Sequence, residues 1–342
     1  LRLTGGHLVY EVDDAYIHMA IARNVVLHGN WGINTSGFSS TSSSPLWTVL
    51  LATIYYLFGI HELTPLILNT LLSSLLILVM YLLLQRQTAS KPALLALLLI
   101  DIVLLAPLPE LTLAGMEHIL HALLAILFAH QVSWFISQPY HVSLKPRVQL
   151  ALLALLLAGI RYEGLFIVLP ALVLLFLRRR WKTGIFIACC SILPMVTLGI
   201  WSLSNGWYFL PNALLLKPPL PPLTLGGIIA YLFSLLEYPI YNSQITALLI
   251  MIILLLARLG LHIPLDYKRS LLFIVIAGIL CQFILKIGWF YRYHSYLIVL
   301  GLFAIGTVLL SQSPTRSSRF SIPSPAKQYS CLLYTSPSPR DS

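Results

Sequence analysis

Two adjacent carboxylates, Asp13 and Asp14, are the residues of this 342-residue chain best suited to chemistry. A carboxylate accepts a proton from a hydroxyl, so either aspartate could act as a general base toward a sugar hydroxyl. Either could equally cap the short helix expected over 14–28, with its neighbour simply solvated. Glu117, His118 and His121 form a second group, with the two histidines three residues apart and so on one helix face. They could hold a divalent cation, but the spacing is not the HExxH pattern of zinc sites. Hydrogen bonding among outer-loop groups is the competing reading, and no cofactor is demanded. Arg161, Tyr162 and Glu163 interrupt two apolar blocks. Charges at such a depth are costly, and are paired or functional. Arg161 and Glu163 either pair to cap two helix ends, or Arg161 meets a phosphate through a bidentate guanidinium. Lys217 reads as an interfacial snorkelling lysine. Arg292 sits in an aromatic belt of Trp289, Phe290, Tyr291, Tyr293 and Tyr296. Asp101, inside an apolar block, reads as a packed or protonated carboxyl.

The elements that must position these groups are helices in a membrane. The chain is 58% hydrophobic and 9% charged, whereas a soluble domain carries about 25% charged residues. Its apolar blocks approach the roughly 20 residues that cross a bilayer. The expected spans are 62–85, 91–108, 112–136, 147–160, 162–178, 183–204, 242–257, 270–286 and 293–311. Short helices are expected at 14–28 and, after a proline start, at 45–59. A further apolar helix over 223–238 would lie along the outer surface. Cys189, Cys190 and Cys281 lie inside apolar blocks and read as buried thiols, with no disulfide or metal spacing.

Charge sets the orientation. The formal charge of +10 is distributed among short loops rather than in a nucleic-acid-binding patch. Alternating spans bring Arg86 and Lys91, Lys145 and Arg147, Arg178 to Lys182, and Arg258 with Lys268 and Arg269 to one face. By the positive-inside rule that face is cytoplasmic. Glu11, Asp13, Asp14, Glu62, Glu110, Glu117, Glu163 and Glu237 fall on or near the opposite face. The expected organisation is an outer loop with juxtamembrane helices over 1–61, a transmembrane bundle over 62–311 and a tail over 312–330. Residues 331–342 contain CLLYTSPSPRD, which matches the translation of a transposase-type sequencing adaptor and is expected to be read-through. The native chain is then expected to continue, and a first span to precede Leu1.

Five segments in order carry a resemblance: DDAYIHMAIARNVVLHGNWGIN with SSPLWTVLLA (13–52), AGMEHILHALLA (114–125), IRYEGLFIVLPALVLLFLRRRW (160–181), YFLPNALLLK (208–217) and WFYRYHSYLIVL (289–300). Together they resemble the GT-C membrane glycosyltransferases, in particular the bacterial branch that includes mycobacterial terminal arabinofuranosyltransferases. The resemblance implies an all-α bundle of about nine transmembrane helices with outer juxtamembrane helices. It also implies inverting transfer of a pentose or hexose from a polyprenyl-phosphate donor to a glycan, lipid or protein acceptor, outside the cell membrane. In such enzymes the first-loop acid deprotonates the acceptor. That role would fall to Asp13 or Asp14, with Asp13 aligned to the first acid of the motif. Glu117, His118, Arg161, Glu163, Asn212, Lys217 and Arg292 would then serve the donor phosphate or the pocket. A transporter or flippase for lipid-linked sugars is the alternative. It would favour mid-membrane charge pairs and an internal repeat, and no repeat is evident. Neither P-loop nor Rossmann glycines are present, so no nucleotide is implied.

Overall fold

The computed structural model describes residues 8–86, 91–139, 143–215, 224–260, 266–286 and 291–311, and among them every regular element is helical. In chain order these are α1 (Asp13–His28), α2 (Pro45–Phe58), α3 (Thr64–Gln85), α4 (Pro92–Leu105), α5 (Leu108–Leu113), α6 (His118–Ser137), α7 (Leu144–Ile160), α8 (Leu165–Leu177), α9 (Trp181–Ser204), α10 (Asn212–Leu215), α11 (Leu225–Tyr241), α12 (Ser243–Leu259), α13 (Tyr267–Leu285) and α14 (Ser295–Leu309). Single 3₁₀ turns at Tyr162–Gly164 and Tyr291–Tyr293 precede α8 and α14. Prolines in the first turn start α2, α3, α4 and α5, where a missing N–H costs nothing. Gly29, left-handed at φ 64°, ends α1.

Four of these helices are long and apolar enough to cross a membrane: α3, α6, α9 and α13. A fifth span arises if α11 and α12, bent by 89° at their junction, count as one. The apolar helices α2, α4 and α14, and α8 with the turn before it, are shorter. At 15 residues, α14 is about 22 Å long, against roughly 30 Å of hydrocarbon. Burial separates core from periphery. Helix α6 packs against α3, α7, α8, α13 and α14, and 72% of its most apolar window is buried. The corresponding figure for α3 is 17%. A helix so apolar and so little covered by protein finds its complement in lipid.

Three expectations are corrected. The apolar run 112–136 is not one helix, because it breaks at Gly115, where φ is +69°. The thiols are not buried: Cys189 is exposed, and Cys190 and Cys281 are half-covered. They lie on spans whose outward faces are apolar without being covered by protein. Neither Asp13 nor Asp14 is the N-cap of α1. Val12 holds that position in extended conformation, and both aspartates lie in the first turn, where their charge still complements the helix dipole.

The two ends of the bundle are chemically distinct. At one end, basic side chains donate to carbonyls that helix C-termini leave unfilled. Arg180 reaches Phe135 O at 2.5 Å and Gln138 O at the end of α6. Arg269 reaches Leu259 O and Gly260 O after α12. Lys91 donates to Leu309 O of α14 at 2.7 Å. Asp266 pairs with Arg269 at this same end, whereas Asp14, Glu117, Glu163 and their arginine partners gather at the other end.

Candidate functional site

At that acidic end the starts of α1, α6, α8 and α14 meet the end of α7. Asp13 and Asp14 open α1. Asp13 is exposed, and its Oδ1 accepts from the Asp14 N–H at 3.1 Å. The Asp14 carboxylate turns inward to Arg292, with Oδ2 3.2 Å from Nη1. Arg292 is held in the 3₁₀ turn before α14, with its guanidinium 5.3 Å from the Tyr293 ring centre. Its Nη1 also lies 3.2 Å from Met116 Sδ. Its Nε is buried without a hydrogen-bond partner. Tyr291, in the same turn, donates to Glu11 Oε2 at 2.8 Å. The turn is thus tied to the start of α1 at two points.

Beneath this pair lies a buried ionic cluster. The break at Gly115 turns the chain so that Glu117 precedes α6. Asn69 fixes the break by donating to Met116 O at 2.9 Å. Arg161 is extended (φ −151°) between α7 and the following turn, which carries Glu163. The guanidinium divides between two carboxylates. Nη1 lies 2.5 Å from Glu117 Oε1, and Nε and Nη2 form a fork with Glu163 at 3.3 and 3.2 Å. Arg161, Glu117 and Glu163 are all buried. Arg161 also lies over the Tyr293 ring, 4.8 Å from its centre. One phenol ring therefore receives both Arg161 and Arg292, and couples the buried cluster to the pair above.

Histidines surround the cluster. His118 Nδ1 is 3.5 Å from Arg161 Nη1, and the His121 ring lies 4.3 Å from that of Tyr296. His18 projects from α1, with Nε2 3.9 Å from Glu117 Oε2 and Nδ1 2.9 Å from Thr48 Oγ1 of α2. Burial holds His18 below the ordinary histidine range despite the pull of Glu117, so it is neutral at pH 7. As a neutral ring it bridges α1, α2 and the bundle by hydrogen bonding and packing.

The expected site residues are therefore partly assembled. Asp14 and Arg292 meet, as do Glu117, His118, Arg161 and Glu163, and Tyr293 links the two groups. Asn212 lies apart, at the start of α10, where its backbone N–H donates to Ser40 O at 3.0 Å. Lys217 lies outside the described residues. Among the described residues, no group of three or more His, Cys, Asp or Glu side chains is arranged to hold a metal ion. His18, Tyr293 and Glu11 were not anticipated. A spacing signal existed for His18, which follows Asp14 by four residues and shares its helix face. No family model, curated protein or solved structure matches this chain.

Proposed function

We propose that the chain is a membrane glycosyltransferase of GT-C type. In this reading α4, α7, α8 and α14 also span, making about nine passes with the five above, and the acidic end faces the non-cytoplasmic side of the cell membrane. The observation that carries the reading is the division of labour at the start of α1: Asp13 is exposed, while Asp14 is held by Arg292. Asp13 is the general base. It takes the proton of an acceptor hydroxyl as that oxygen bonds to the anomeric carbon. The bond from that carbon to the phosphate oxygen breaks from the opposite side, and polyprenyl phosphate leaves with the electron pair. This single displacement inverts the configuration.

Arg292 is the phosphate ligand. Its Nε has no partner, and the Asp14 carboxylate it holds is 39% exposed, so water can take over when a phosphate displaces it. A guanidinium at the leaving phosphate stabilises the charge that develops there. Arg161 is unsuited to that exchange, because leaving its partners would strand two buried carboxylates. Its role is to fix Glu117 and Glu163, and through Tyr293 the turn that carries Arg292.

The test uses the full-length protein in proteoliposomes with a radiolabelled polyprenyl-phosphate pentose or hexose. Asp13→Asn should lower transfer by about 10²–10⁴-fold with donor binding retained. Turnover within a few-fold of wild type would overturn the assignment, and movement of donor across the bilayer without transfer would replace it with a flippase.

A further inference from the structure

The basic end of the bundle holds a cavity of about 340 Å³ between the C-terminal end of α6, the start of α7 and the α8–α9 junction. Four of its lining residues are cationic: Arg147, Arg179, Arg180 and Lys182. Phe135 and Trp181 supply aromatic walls. Arg180 is the buried strut of the site. It spans to Phe135 O and Gln138 O and lies 4.5 Å over the Phe135 ring. Arg179 is exposed and left-handed at φ 54°, a conformation uncommon for a side chain of its size. The tight turn that requires it places Arg179, Arg180 and Lys182 around one opening. Between His118 and Leu236 the sequence contains one carboxylate, Glu163, and that residue lies in the ionic cluster at the opposite end. The positive field of the cavity is therefore not neutralised by neighbouring acids of these helices.

The surroundings favour a lipid over a soluble anion. Leu144, Val148 and Leu152 recur every four residues on α7 and are 70%, 47% and 55% exposed. Ile185 and Phe186 of α9 are also exposed. Helices α7 and α9 pack together, so these apolar faces flank the cationic opening. Trp181 is 56% exposed and stacks on Phe176 at 5.1 Å, the position of an interfacial aromatic anchor. We infer that this cavity binds the phosphate headgroup of an anionic phospholipid, whose acyl chains lie along the exposed faces of α7 and α9.

The experiment measures quenching of Trp181 by lipids brominated on their acyl chains, using the full-length protein in vesicles of phosphatidylcholine with or without phosphatidylglycerol. The Trp181 contribution is taken as the difference from Trp181→Phe. Each basic residue near an anionic headgroup is worth about 1 kcal/mol. Three of them should therefore favour phosphatidylglycerol over phosphatidylcholine at Trp181 by about a hundredfold. Combined Arg147→Gln, Arg179→Gln and Lys182→Gln, with Arg180 kept to hold α6, should reduce the preference to under about threefold. The melting temperature of this variant reports whether it is folded. If it is not, each single substitution should still lower the preference about fivefold. Equal quenching by the two lipids in wild type, or a preference that survives the substitutions in folded protein, would overturn the inference. Displacement of phosphatidylglycerol by millimolar inorganic phosphate would reassign the cavity to a soluble anion.

Discussion

Arg161 gives one guanidinium to two buried carboxylates, and the two partners are not equivalent. Glu163 receives a fork from a residue two positions away, whereas Glu117 receives a single short contact across 44 residues of sequence. Removing the arginine strands both acids, and leaving a buried charge uncompensated costs about 3–5 kcal/mol. Replacing Glu117 with glutamine keeps the fork to Glu163 and an acceptor facing Nη1, so the loss is nearer 1–2 kcal/mol. In thermal unfolding in detergent, Arg161→Gln should therefore lower the melting temperature clearly more than Glu117→Gln. Equal losses would mean that the Glu117 contact, and not the shared guanidinium, holds the cluster together.

Helix α6 owes its starting point to the turn that precedes it. Gly115 adopts φ +69°, and a Cβ there would lie 2.5 Å from the Tyr10 ring. Tyr10 has little room to retreat, since it is 3% exposed and its hydroxyl donates to Glu62 O at 2.5 Å. Gly115→Ala combines left-handed strain of about 1–2 kcal/mol with overpacking of about 1–3 kcal/mol. It should loosen the segment leading into α1 as well as the start of α6. Hydrogen exchange over residues 8–28 and 116–121 should rise together in this variant. Exchange confined to the second segment would show that Tyr10 does not link the two. This turn also marks a limit of what was legible in the sequence. The apolar blocks are readable, as are the short helices expected over 14–28 and, after a proline start, 45–59, which form as Asp13–His28 and Pro45–Phe58, because transfer energy and local propensity fix them. A lone glycine between Ala114 and Met116 interrupts no hydrophobic pattern, so the run read as one helix. The Arg161–Glu163 pair was one of two readings, since its partners are local. Its second partner, Glu117, was not assigned to it, because nothing in local spacing reports a contact between the turn before α6 and the end of α7. The same holds for Asp14 with Arg292, which meet only when the first and last described helices are brought together.

Across the molecule, charge is sorted by end. The basic residues that donate to the C-termini of α6, α12 and α14 lie at one end, and the Arg161 cluster with Asp14 and Arg292 at the other. Packing alone does not require this sorting, because a helix C-terminus can be filled by water or by a glycine turn. A membrane does favour it, because Lys and Arg resist translocation and are retained in short cytoplasmic loops. The orientation can be tested without any assay of activity. With the native cysteines replaced by serine, Ser36→Cys in the exposed loop after α1 and Lys145→Cys at the start of α7 place one thiol at each end. In intact cells a membrane-impermeant maleimide should label the first and leave the second unmodified until the membrane is permeabilised. Labelling of both before permeabilisation would put the two ends on one side and overturn the assignment of α6 and α7 as spans. Labelling of Lys145→Cys alone would invert the protein and move Asp13 to the cytoplasm, where an acceptor outside the cell membrane could not reach it.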